Sequence, residues 1–169
     1  HIWSDGSHPQ LNEMDYMSMA LELAVRMPEE RDNIIATQRE RITNPDRIRQ
    51  FDYVLRATVS DTETLDALFA ELCEPENRRT EPWAASALAL INHHTRAEHS
   101  IKYIRRGLEE LREVQRTGDI FFPRNWAGAL LGGHKSPEAY AEVERFLEDN
   151  PDYPTLLRNK ILQAADMMP

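Results

Sequence analysis

Residues 60–73 read SDTETLDALFAELC, and this stretch decides the fold. Leu65, Leu68, Phe69, Leu72 and Cys73 recur at i, i+3, i+4, i+7 and i+8, the spacing that gathers side chains on one face of an α-helix. Ser60-Asp61-Thr62-Glu63 stands just ahead of the stripe as a capping-box pattern, which supplies partners for the first unpaired N–H groups. A helix over Thr62 to Cys73 follows, with Cys73 as a core thiol. No segment of useful length alternates with period two, so strands find no support.

Working outward, Ile101, Ile104, Leu108, Leu111 and Val114 form a second stripe, and Gly118 follows where a left-handed C-terminal cap is expected. Prolines mark helix starts, because a missing N–H costs nothing in the first turn. Asn44-Pro45, Glu81-Pro82, Phe122-Pro123, Ser136-Pro137 and Tyr153-Pro154 each precede an amphipathic run, with Asn44 and Ser136 placed to cap. About nine helices result. They cover Asn12 to Met27, Pro28 to Arg41, Pro45 to Val59, Thr62 to Cys73, Pro82 to Asn92, Ala97 to Thr117, Pro123 to Leu131, Pro137 to Asp149 and Pro154 to Met167. Short connections make neighbours antiparallel, and pairs recur at about 30 to 40 residues. The expected fold is therefore all-α, a right-handed superhelical stack of helical hairpins like a HEAT or armadillo solenoid, with a compact irregular bundle as the alternative. Residues 1–11 are expected to be an extended lead-in from a preceding domain and 12–169 a single helical-repeat domain. The first residue, His1, is not Met, which suggests a fragment of a longer polypeptide.

Hydrophobic residues make up 41% and charged residues 29%, the balance of a soluble globular domain. The longest apolar runs, such as Ala84 to Ile91, fall well short of the roughly 18 residues a membrane span requires. The net charge of −9 opposes binding to a phosphate backbone. Arg39, Arg41, Arg47 and Arg49 are interleaved with Glu40, Asp46 and Asp52, as on a salt-bridged helix surface. A DNA-gripping helical repeat is the least favoured reading. One cysteine excludes an internal disulfide and leaves cytoplasm and periplasm both open.

Catalytic constellations are missing at the level of spacing. His93, His94 and His99 lie close together, yet two zinc-binding histidines on one helix need i, i+4 placement, and Glu98 precedes its histidine. They read as surface or helix-end histidines in an inter-helix turn. Glu109 and Glu110 read as solvated charges, and Gly132-Gly133 as a helix C-cap, since Lys135 arrives without the strand a phosphate loop follows. Phe121, Phe122 and Trp126 are expected to plug the space between hairpins, while Trp3 and Trp83 pack. Arg124, Asn125, His134 and Lys135 flank the short helix after residue 122 and are the candidates to face a ligand or an adjoining domain.

Five runs then carry a resemblance: Glu81-Pro82-Trp83, Leu90-Ile91-Asn92-His93-His94, Thr117-Gly118-Asp119-Ile120-Phe121-Phe122-Pro123, Leu131-Gly132-Gly133-His134 and Lys160-Ile161-Leu162-Gln163-Ala164-Ala165-Asp166. In this order and spacing the chain, from about Leu11 to Met167, resembles the C-terminal helical domain of bacterial zinc aminopeptidases of the aminopeptidase N family. The resemblance implies a parent hydrolase whose separate catalytic domain holds zinc through H-E-x-x-H and a distant glutamate. This chain would carry no cofactor and no catalytic residue. It would pack on that catalytic domain and enclose the cavity for peptide substrates, with Arg124, Asn125, His134 and Lys135 as cavity-lining candidates chosen on polarity alone. A free-standing scaffold for protein–protein interaction is the alternative.

Overall fold

The computed structural model describes residues 2–166, and no strand occurs among them. The α-helical segments are α1 (Ile2–Asp5), α2 (Glu13–Arg26), α3 (Arg31–Arg41), α4 (Pro45–Val54), α5 (Thr62–Cys73), α6 (Glu81–Ile91), α7 (Ala97–Ser100), α8 (Tyr103–Glu109), α9 (Leu111–Thr117), α10 (Phe122–Leu131), α11 (Pro137–Asp149) and α12 (Thr155–Ala165). Short 3₁₀ turns at Pro28–Glu30, Leu55–Thr58, Pro75–Arg78 and His94–Arg96 link several of them. The all-α expectation holds. His1 and the expected last helical residue, Met167, lie outside the described residues.

The caps explain where the helices begin. Asn44 Oδ1 accepts from the N–H groups of Asp46 and Arg47 at 2.9 and 3.3 Å, and Ser136 Oγ accepts from Ala139 at 3.2 Å. Helix α5 has its expected bounds but is capped by the Asp61 carboxylate, which accepts the Thr64 N–H at 2.8 Å. An anion at a helix N-terminus also meets the positive end of the dipole. The reciprocal capping box stands instead at α2, where Asn12 and Asp15 exchange bonds.

Two local expectations are corrected. The single helix over Ala97 to Thr117 is divided into α7, α8 and α9, although Ile101, Lys102 and Glu110 keep right-handed backbone angles. The joint at Glu110 falls beside two ladder carbonyls claimed by side chains from α10 and from the bend between α11 and α12. Trp126 Nε1–H donates to Gly107 O and Tyr153 O–H to Leu108 O, both at 2.9 Å, and such diversion interrupts a helical ladder. Gly118 is extended (φ −96°, ψ 176°), not left-handed. A Cβ there would lie 2.6 Å from the Phe122 ring and 2.7 Å from Val114 O, so close packing explains the glycine.

The lead-in also differs from expectation, since Ile2–Asp5 makes one helical turn fastened to α3. Trp3 Nε1–H donates to Gln38 Oε1 at 3.0 Å, and Arg41 donates to Trp3 O and Ser4 O at 2.8 and 3.0 Å while stacking over the Trp3 ring. Of the other arginines of this cluster, Arg39 pairs with Asp52 and Arg49 with Asp46 as read, whereas Arg47 reaches Glu13 of α2 instead of an interleaved carboxylate.

Packing follows a row in which α4 contacts α6, α6 contacts α10, and α10 contacts α12. Against it lie α5 on α6, α8 on α10, and α11 on both α8 and α12. A small buried cluster, from Met17 to Phe51, joins α2, α3 and α4. A larger one runs from Ala57 to Ala165 around Leu88, Ile91, Ile104, Leu108, Trp126 and Leu130. Such burial of apolar surface is the main favourable term in folding.

Candidate functional site

The segment between α9 and α10 turns on Asp119. Its Oδ1 accepts the backbone N–H groups of Phe121 and Phe122 at 2.7 and 2.9 Å, and its own N–H donates to Glu81 Oε1 at 3.0 Å. This aspartate-centred turn sends Phe122 inward, where it meets Trp126 edge-to-face at 5.9 Å. The preceding residues go outward: Ile120 is 80% exposed and Phe121 67%. The expectation that all three aromatics plug the core therefore holds for Phe122 and Trp126 and fails for Phe121. Beside the turn lies a groove of about 620 Å³ whose lining includes Ile120, Pro123, Leu156, Asn159, Lys160 and Gln163. Leu156 on α12 is 70% exposed, so the groove has an apolar rim on both banks.

Arg124 and Asn125 are exposed in the first turn of α10, and Lys135 is exposed beyond its other end. A helix of that length separates the two groups by about 15 Å, so they do not form one site. His134 is 1% exposed, with Nε2 3.1 Å from Asn92 Oδ1. Because the Asn92 amide donates to Leu88 O, its oxygen faces His134 and accepts the ring N–H. Burial pulls the His134 pKa down to about 4, keeping the ring neutral. His134 is thus a seam residue rather than one that faces a ligand. A Cβ on adjacent Gly133 would lie 1.7 Å from Asn92 O, which is why the two loops can approach there.

The five runs singled out in the sequence fall into two groups in space, one at each end of α10. Glu81 bonds Asp119, Asn92 meets Gly133 and His134, and the 118–123 turn shares its groove with Lys160 and Gln163. Their common role is to join non-adjacent helices.

Other ionisable groups form compact clusters. Asp66 Oδ1 accepts from Tyr103 O–H and His99 Nε2, and Oδ2 from Lys102 Nζ at 2.6 Å. Hydrogen bonds from Lys102 and Tyr103 hold the Asp66 pKa at about 2, so it stays ionised, while burial and Asp66 push Tyr103 upward. Cys73 is buried with a thiol raised to about 11, chiefly by burial, which removes nucleophilic thiolate at neutral pH. Arg78, 2% exposed, donates to Leu72 O and Cys73 O at the end of α5 and faces Glu110 at 3.6 Å. Glu110 is not the solvated charge expected from sequence; burial raises its pKa against the pull of Arg106 and Arg78.

The turn after α6 brings His93 and His94 against Glu22 of α2, with one donor atom of each within 4.8 Å of the others. His93 Nε2 lies 3.0 Å from Glu22 Oε1. Desolvation favours the neutral Glu22 carboxyl, but bonds from His93 and Arg26 outweigh it and hold its pKa below the usual value. Loss of solvation, then His93 and Arg26, lowers that of His94. No helix among the described residues is long and apolar enough to cross a membrane. Comparison with known protein families, curated proteins and solved structures returns no match.

Proposed function

We propose that this chain is a non-catalytic, solenoid-like helical domain of a zinc aminopeptidase, docked on the catalytic domain of the same polypeptide and enclosing its peptide cavity. The carrying observation is the ledge formed by Ile120, Phe121 and Leu156, where the Asp119 turn holds the first two outward and α12 exposes the third. Exposed large apolar side chains gathered along a groove mark surfaces that other protein covers. Ile120 and Phe121 belong to the Thr117–Pro123 run that carries the family resemblance, which supports tying the surface to the proposed parent. The row α4–α6–α10–α12, backed by α5, α8 and α11, supports the stacked-hairpin part of the reading. Arg124 and Asn125 follow the ledge in the first turn of α10, whereas Lys135 lies beyond the other end of that helix.

The zinc of the parent would sit in the catalytic domain, and no step of its chemistry is assigned to this chain. The coding sequence upstream of residue 1 is the first test, and it must contain H-E-x-x-H with a third glutamate. The second is Ile120→Asp combined with Leu156→Asp in the full-length protein. Peptide hydrolysis should fall while the stability of the isolated chain is unchanged. Hydrolysis of aminoacyl-anilides by residues 1–169 alone with added zinc would overturn the reading.

A further inference from the structure

We infer that Glu22, His93 and His94 form a binding site for a divalent transition-metal ion such as Zn²⁺ or Ni²⁺, with Arg26 as its built-in competitor. Imidazole nitrogens and a carboxylate are the donor set these ions prefer. Adjacent histidines cannot share a metal from a regular helix, but His93 is extended (φ −59°, ψ 142°), and the two rings lie 4.2 Å apart at 34°. The backbone turn, rather than helical spacing, brings the donors together.

The cluster already holds a cation. The Arg26 guanidinium reaches Glu22 Oε1 at 2.5 Å and His94 Nε2 at 2.9 Å. A guanidinium can only donate, so both atoms present lone pairs to positive charge, as metal ligands must. Bonds of about 2.1 Å in a tetrahedral site place donors about 3.4 Å apart. Glu22 and His93 stand at 3.0 Å, and exposed His94 needs only a small swing to close on them. In the metal-free chain His93 Nδ1 accepts the Thr95 N–H at 3.2 Å and Nε2–H donates to Glu22, so metal binding through Nε2 requires the ring proton to pass to Nδ1, where Thr95 Oγ1 at 2.8 Å can accept it. Arg26 is half exposed and free to rotate outward. Lys135, which shares a surface depression with His94, adds a second positive charge that weakens the ion's hold.

Zinc and nickel titrations of the purified chain, followed by calorimetry and by NMR of the histidine rings, test the site. One ion per chain is expected, with selective shifts at His93 and His94. Glu22→Gln should weaken binding about tenfold or more, and His93→Ala with His94→Ala should abolish it. Arg26→Met should tighten it about tenfold, an effect a purely structural role for these residues would not produce. Zinc should also raise the Tm, since the ion would join α2 to the turn after α6. Because His94 is exposed, His94→Ala alone gives a folded control. Binding unchanged in the double variant, as at His1 or His8, would overturn the assignment, as would weaker binding in Arg26→Met.

Discussion

The helices before residue 56 and those after it are held by different means. In the first region Met17, Ala20, Ala24, Ile34, Ile35, Ile42 and Phe51 form the whole buried cluster, and long polar side chains position the rest. Arg41 fastens α1, Arg47 joins Glu13, Arg39 joins Asp52, and Arg31 reaches Thr58 and Leu55 O. The second region packs Leu, Ile, Phe and Trp side chains from α5 to α12 into one continuous core. Ion pairs between half-exposed groups contribute at most about 1 kcal/mol each, whereas a buried large side chain contributes several times more. The first region should therefore be the weaker unit, dependent on its contacts with the second.

Substitutions can break this contrast in order of effect. Trp126→Ala should cost about 4–5 kcal/mol, because it opens a cavity and leaves Gly107 O without its partner. The urea midpoint should drop with all helices melting together. Phe51→Ala should cost about 3–4 kcal/mol. Here hydrogen exchange should quicken in α2, α3 and α4 while α10 stays protected; equal acceleration would show that the two clusters form a single cooperative unit.

A pH series sharpens the comparison, because His134 sits in the larger core. Its folded pKa of about 4 lies below the ordinary 6.5, so the unfolded chain takes up the proton first. Stability is complete above pH 6.5 and falls by about 3 kcal/mol as pH drops toward 4. Urea midpoints at pH 7 and 4.5 should differ in the native chain and much less in His134→Gln. Asp61→Ala, which removes the α5 cap, should cost about 1 kcal/mol by the same measurement. Smallest of all, a double-mutant cycle on Arg39 and Asp52 should return under about 1 kcal/mol, which tests whether the tethers of the first region are individually weak.

Local order was legible in the sequence wherever apolar period and cap agreed. The stripe at residues 65–73 gives α5 its bounds, and Asn44 and Ser136 cap as their positions before proline suggest. Features set by distant partners were not legible. The joint at Glu110 depends on Trp126 and Tyr153, and the burial of His134 depends on Asn92. Glu22 escaped notice as a partner of His93 because 71 residues separate them and no spacing rule spans that distance. Phe121 and Phe122 are chemically alike, and only the Asp119 turn decides which one is outside.

The placement of Cys73 has a practical consequence. It is the single cysteine of the chain, buried in the larger core at the C-terminal end of α5. A maleimide or iodoacetamide reagent can reach it only when the larger core opens. The alkylation rate of the unmodified protein is therefore a built-in clock for that opening, readable by mass spectrometry without an engineered label.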